Sequence, residues 1–147
     1  KAFTKLYGMA GVRLGYCLCS DTELLARMRA AGQPWAVSSL AQAAGIAALD
    51  ETEYVAKVRA LIEAQRPVLA DGLRALGLRV IEGRANYLLF RAPEALGEAL
   101  RRKGAVLRSC GNYPGLDASW YRTAVRTENE NRQLLALLAE TLPEVAQ

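Results

Sequence analysis

Lys5 and Arg13 share the segment Thr4-Lys5-Leu6-Tyr7-Gly8-Met9-Ala10-Gly11-Val12-Arg13-Leu14-Gly15-Tyr16. A lysine becomes a nucleophile once its ammonium loses a proton, which desolvation or neighbouring positive charge promotes. An arginine offers a planar fork of donors that suits a phosphate. Gly8, Gly11 and Gly15 let the backbone approach a ligand closely. Together these parts suit a phosphorylated carbonyl cofactor held as a Schiff base. A surface lysine beside an ion-paired arginine is the plainer alternative. Farther along, Arg108 and Arg122 fall inside short strand candidates, where a bare guanidinium is unusual. A bidentate carboxylate or phosphate, worth about 1.5–3 kcal/mol per charged hydrogen bond, would account for each. Ion pairing on an exposed strand face is the alternative there.

Composition narrows the chemistry further. The 147 residues contain no histidine, which removes Ser-His-Asp and Cys-His nucleophiles and every metal site that needs imidazole. Catalysis must then use Lys, Arg, carboxylates, Tyr or Cys, or borrow a cofactor; no metal is expected. Hydrophobic residues make up 52%, too many for a disordered chain, yet no run approaches the ~20 apolar residues of a membrane helix. The net charge of +4 raises a polyanion partner as an alternative, with Arg91, Arg101, Arg102, Lys103 and Arg108 as its densest basic group. Acidic residues are mixed in almost everywhere else, which reads as a solvated surface. Cys17, Cys19 and Cys110 read as buried small hydrophobes, with a metal or redox pair at Cys17 and Cys19 as the alternative, and the absence of a secretory or lipidation pattern points to a reducing cytoplasm. The chain opens on Lys1 with its densest chemistry at once, and so reads as part of something longer.

Several elements must position these groups. The apolar run 12–19 reads as a largely buried strand. A capping box of Ser20 and Glu23 should open a short helix ending near Gly32. Pro34 suits a first helical position, followed by an Ala-rich, mostly buried helix over 35–49. Asp50 and Glu53 make a second capping box, from which Tyr54, Val58, Leu61, Ile62, Leu69, Leu73 and Leu76 hold one stripe of a long helix. Pro67 should kink or divide that helix, and Gly77 should end it. Strands are expected at 78–81, 86–91, 105–109 and 120–125, with a helix over 93–103 closed by Gly104. Thr127 and Glu130 should cap a terminal helix reaching about Leu142. The fold class is therefore α/β: a long helix leads into a small α+β layer of β-β-α-β-β-α form, its helices on one sheet face. A domain boundary, if present, would fall in the long helix near Pro67.

The stretch Thr4-Lys5-x7-Arg13-x-Gly15-Tyr16 resembles the pyridoxal-phosphate lysine segment of the class I/II, fold type I, aminotransferases. Gln33-Pro34-Trp35-Ala36-Val37-Ser38-Ser39-Leu40-Ala41-Gln42-Ala43-Ala44 resembles the branch holding histidinol-phosphate aminotransferase and L-threonine-O-3-phosphate decarboxylase. Arg108-Ser109-Cys110-Gly111-Asn112-Tyr113-Pro114-Gly115-Leu116, with Trp120-Tyr121-Arg122-Thr123-Ala124-Val125-Arg126, leans towards the decarboxylase. The resemblance covers about the last two-fifths of such an enzyme. It implies that 1–52 is the end of a large cofactor-binding domain and 53–147 a small C-terminal domain with its connecting helix. It implies that Lys5 carries pyridoxal 5'-phosphate as a Schiff base and moves protons at the substrate carbon. Arg13 matches the cofactor-phosphate ligand, with Thr4 beside it, and Arg122 the arginine that grips the substrate α-carboxylate. Arg108 stands where this branch places a second substrate arginine, and Asn86 matches a common family Asn. Ala2 departs from the family, which has Ser or Thr there to help hold the phosphate. The acidic partner of the pyridine nitrogen, the stacking aromatic and the Gly/Ser phosphate loop lie upstream of the lysine in the family. The resemblance thus implies a homodimer acting on an amino acid, a phosphorylated one in this branch, and an isolated fragment with little activity. A non-catalytic remnant and a basic polyanion-binding module are the competing functions.

Overall fold

The computed structural model describes residues 1–145. Its elements run α1 (Thr22–Ala31), α2 (Ser39–Asp50), α3 (Thr52–Ala75), β1 (Arg79–Ile81), β2 (Tyr87–Arg91), α4 (Leu96–Arg102), β3 (Arg108–Ser109), β4 (Trp120–Ala124) and α5 (Glu128–Val145). The chain divides into two compact units, Lys1–Val58 and Arg59–Gln147, with the division inside α3.

In the first unit, the Phe3 N–H donates to the Leu14 carbonyl (3.1 Å) and the Tyr16 N–H to the Lys1 carbonyl (2.8 Å). Residues 3–14 thereby become a loop closed at its base, with Ala2 and Gly15 forming one antiparallel bridge. Phe3 is buried in that base, stacked on Tyr7 at 5.0 Å and edge-on to Tyr16 at 5.9 Å between centroids. α2 meets the loop at Gly45, where a Cβ would collide with Leu14 Cδ2. A side chain at this position would require Leu14 to change rotamer.

Sequence expectations in this unit need correction at several points. The run 12–19 is not a buried strand: its one bridge is Ala2–Gly15, and Tyr16, Cys17, Leu18 and Cys19 are exposed. A strand needs a neighbour to satisfy its ladder and cover its side chains, and the described residues supply only that bridge. Cys17 and Cys19 are accordingly exposed thiols, whereas Cys110 is buried as expected. Asp21, not Ser20, caps α1, its carboxylate accepting the Leu24 N–H at 2.9 Å. Pro34 does not open a helix; Trp35 follows it with φ +58°, the φ pattern of a type II turn. α2 starts instead at Ser39, capped by the Ser38 hydroxyl on the Ala41 N–H, and buries only Ala41 and Gly45. Asp50 is the last residue of α2 rather than a cap of α3.

In the second unit, α3 continues unbroken through Pro67, which is exposed, so water can satisfy the carbonyl that lacks a proline donor. It ends as expected at Gly77 (φ +78°), with the Gly77 and Leu78 N–H groups returning to the carbonyls of Arg74 and Leu73. The four strands are shorter than expected but in the expected places. They form one antiparallel sheet in the order β1-β2-β4-β3. Strand parity then sorts the side chains. Val80 opposes Phe90, Phe90 opposes Tyr121, and Leu88 opposes Thr123. Leu88, Phe90 and Tyr121 share one cluster with Leu69 and Leu73 of α3, Leu96 and Leu100 of α4, and Leu138 of α5. Three helices therefore cover this one face. Thr127 and Glu130 form the expected capping box, the carboxylate accepting from both the Thr127 N–H and hydroxyl. The Thr127 hydroxyl bond, with Arg126 alongside, holds the Glu130 carboxyl below its usual range.

α4 has no side-chain cap of its own at Ala95. The buried Tyr121 hydroxyl takes that role from the sheet, accepting the Gly97 N–H (3.2 Å) and donating to the Glu94 carbonyl (2.6 Å). A Cβ at Gly97 would lie 2.9 Å from the Tyr121 ring, so the position needs glycine. Tyr121→Phe should destabilise this unit by about 1–3 kcal/mol, since a helix-end N–H and a carbonyl lose their partner. Urea unfolding with an unchanged m-value checks it, and an unaltered midpoint would contradict it.

Candidate functional site

Lys5 lies in the turn 4–7 at the exposed side of the closed loop. Its carbonyl accepts from the Gly8 N–H (3.2 Å), and its ammonium has no hydrogen-bond or ion-pair partner among the described residues. Arg13 lies near the far end of the same loop with φ +57°, a left-handed conformation that costs a non-glycine residue roughly 1–3 kcal/mol. Its Nη1 donates to the Ala10 carbonyl at 3.1 Å, which fixes the guanidinium and leaves its remaining donors without protein acceptors among the described residues. Thr4, half-buried beside Lys5, has an uncommitted hydroxyl by the same measure. Ala2 adds only a backbone bridge. An amine for an aldehyde carbon, with a guanidinium and a hydroxyl for phosphate oxygens, is a donor set that fits pyridoxal 5'-phosphate.

In the second unit the structure brings Arg108 and Arg122 together. They are direct cross-strand partners on β3 and β4, in a row with Leu89 and Ile81 on the sheet face away from the helix-covered core. Like charges directly opposite each other are unfavourable, and neither guanidinium has a carboxylate within ion-pair distance among the described residues. Each is instead propped by its neighbours. Arg122 lies 4.6 Å over the Tyr87 ring. Arg108 lies 5.6 Å over Tyr113 and donates to Asn112 Oδ1 at 3.0 Å. Both side chains are held in place with donors to spare, the preorganisation an anionic ligand needs. A second row on this face joins Arg79, Arg91 and Trp120; there Arg91 is occupied by Ser119 and Asp117. Hydrogen bonds from Ser119, before the charge of Arg91, hold the Asp117 carboxyl below its usual range.

Asn86 is not with that pair. Its carbonyl accepts from the Val125 N–H (2.9 Å), and its side chain lines a cleft with Arg59, Glu63 and Arg66 of α3. Arg126 is a surface residue paired with Glu130 at 2.6 Å. Tyr87, Asn112 and Tyr113 are the supports that the sequence reading missed. Strand parity placed Tyr87 beside Arg122 in principle, but the register that does so is set by pairing, not by local sequence. The wider basic group is largely neutralised: Arg101 and Arg102 face Glu98, and Lys103 bridges Glu140 and Glu144. The bond to Glu144 leads in raising the Lys103 pKa.

The chain is similar to known proteins along most of its length. A family model described as "Aminotransferase class I and II" matches residues 1–138. Threonine-phosphate decarboxylase of Salmonella typhimurium is 38% identical over 99% of this chain and 41% of its own length. Histidinol-phosphate aminotransferase of Symbiobacterium thermophilum is 40% identical over 98% of this chain and 40% of its own. The crystal structure of histidinol-phosphate aminotransferase from Clostridium acetobutylicum superposes with a TM-score of 0.91 at 31% identity, covering 97% of this chain and 45% of that one. That from Sinorhizobium meliloti, in complex with pyridoxal-5'-phosphate, gives 0.73 at 26% identity over 97% and 39%. The chain thus spans about two-fifths of the length of the curated relatives it matches. With that match across all but the last nine residues, the chain belongs to the class I and II aminotransferase family.

Proposed function

We propose that the protein carrying this chain is a pyridoxal-phosphate-dependent enzyme of histidinol-phosphate aminotransferase or threonine-phosphate decarboxylase type, acting on a phosphorylated amino compound. The observation that carries this reading is the Arg108–Arg122 pair, two propped guanidinia facing one another with no protein carboxylate between them among the described residues. One anion would leave them half-matched; a substrate with two anionic groups, or a phosphate dianion, matches both.

Lys5 Nζ would hold the cofactor, with Arg13 and Thr4 on its phosphate. When bound, pyridoxal 5'-phosphate supplies an electron sink for charge left at the substrate carbon. Arg122, seated on Tyr87, takes the α-carboxylate of O-phosphothreonine or glutamate bidentately, and the phosphate of histidinol phosphate, which has no carboxylate. Arg108, oriented by Asn112, takes the second anion. Lys5 Nζ would move the proton at the substrate carbon, removing it in transamination and supplying it after carbon dioxide leaves in decarboxylation. The same reading makes the whole protein a cytoplasmic homodimer. It also makes the 147 residues alone a weak cofactor binder with negligible turnover, because the family's pyridine-nitrogen partner and phosphate loop lie upstream of the lysine.

Supplying the full-length protein with histidinol phosphate and 2-oxoglutarate, and separately with O-phosphothreonine, tests this reading by product. Glutamate from the first pair assigns transamination, and carbon dioxide from the second assigns decarboxylation. Consumption of neither would overturn the proposal and leave a non-catalytic member of the family.

A further inference from the structure

Another cleft in the second unit is built from charged groups that the proposed chemistry does not use. Arg59, Ile62, Glu63 and Arg66 lie along α3 at i, i+3, i+4 and i+7, which is one helical face. Arg84 and Asn86, from the connection between β1 and β2, close the other side, and the six residues line a cleft of about 570 Å³. Arg66 Nη2 donates to the Ala85 carbonyl, tying that connection to the helix. This bond occupies one of the five N–H groups of its guanidinium. The other basic residues of α3 are paired, Lys57 with Glu53 and Arg74 with Asp71 and Glu82. Arg59, Arg66 and Arg84 have no such partner among the described residues, although Glu63 shares their cleft. The Asn86 carboxamide likewise makes no side-chain hydrogen bond among them.

We propose that this cleft binds a phosphate-type dianion, either inorganic phosphate or the phosphate of a small monoester. Three guanidinia and one carboxylate leave a net charge of two positive, which a phosphate group of about −1.5 to −2 at neutral pH matches better than a single carboxylate does. Guanidinium forks suit its oxygens, and the Asn86 amide adds an uncharged donor. A ligand here touches both α3 and the β1–β2 connection, so binding also stabilises the second unit by mass action. The six lining residues exclude Arg108 and Arg122, and the proposal stands independently of the reaction assigned above.

Calorimetric titration of the full-length protein with its cofactor bound tests this, using inorganic phosphate and glycerol phosphate at constant ionic strength in chloride. The protein carries Arg108→Gln and Arg122→Gln so that the sheet-face pair does not contribute. Saturable binding above the chloride control is expected, tighter for whichever form, free or esterified, the cleft serves. Arg59→Gln with Arg84→Gln should weaken it by about tenfold or more. Glu63→Gln should tighten it about 2–5-fold by removing the one like-signed charge, a gain that damage to the fold would not produce. Absence of binding, or binding indifferent to Arg59→Gln with Arg84→Gln, overturns the proposal.

Discussion

Lys5→Ala in the full-length protein is expected to lower turnover by at least about 10³-fold while leaving the fold intact. The lysine is proposed to do two things at one atom: hold the cofactor covalently and move the proton at the substrate carbon. A positioned proton transfer alone contributes about 10²–10⁴-fold, and loss of the covalent anchor adds to it. The fold should not register the change. Lys5 is exposed, its side chain has no partner among the described residues, and its one recorded backbone bond, from Gly8, survives in alanine. Surface substitutions of this kind stay within about 0.5 kcal/mol. Thermal melting and steady-state kinetics on the same sample check both halves. Turnover within tenfold of the parent would contradict the role.

Arg122→Gln should lower kcat/KM by about 10²–10³-fold. A bidentate guanidinium–carboxylate contact is two charged hydrogen bonds, each worth about 1.5–3 kcal/mol, and glutamine retains at best one neutral donor. The loss should appear as a raised KM for the carboxylate-bearing substrate. Arg122→Lys should not restore it, because an ammonium lacks the planar fork and cannot lie flat on Tyr87 in the same way. Removing one of two opposed positive charges should leave stability unchanged or slightly raised, which separates a binding role from a structural one. A variant with unchanged KM would remove Arg122 from substrate binding.

The second unit was legible because its signals are local. Thr127 and Glu130 form the capping box that their spacing announces, Gly77 ends α3, and the strand runs lie where β-formers alternate. Boundaries moved where a distant residue decided them: α4 begins at Leu96 because Tyr121 satisfies its first turn from across the sheet. The first unit misled for the opposite reason. Runs such as 12–19 and 35–49 are apolar, yet apolarity records that a surface is to be covered, not by what. The described residues leave Leu18 85% and Ile46 67% exposed. Trp35 took a left-handed turn that no helical pattern reveals. At the site, residue types and spacing singled out Lys5 and Arg13, while the resemblance picked out Arg108 and Arg122, whose places inside strand candidates agreed with it. The pairing of the last two, and the rings beneath them, required the β3–β4 register. Asn86 was placed with the substrate by resemblance alone; in the structure it is one of the residues lining the α3 cleft.

The most direct measurement of the central claim is borohydride reduction of the full-length protein, followed by proteolysis and peptide mass mapping. The account predicts a phosphopyridoxyl mass on the peptide containing Lys5 and on no other lysine. A label on Lys1, Lys57 or Lys103, on a lysine elsewhere in the protein, or on none, would contradict it.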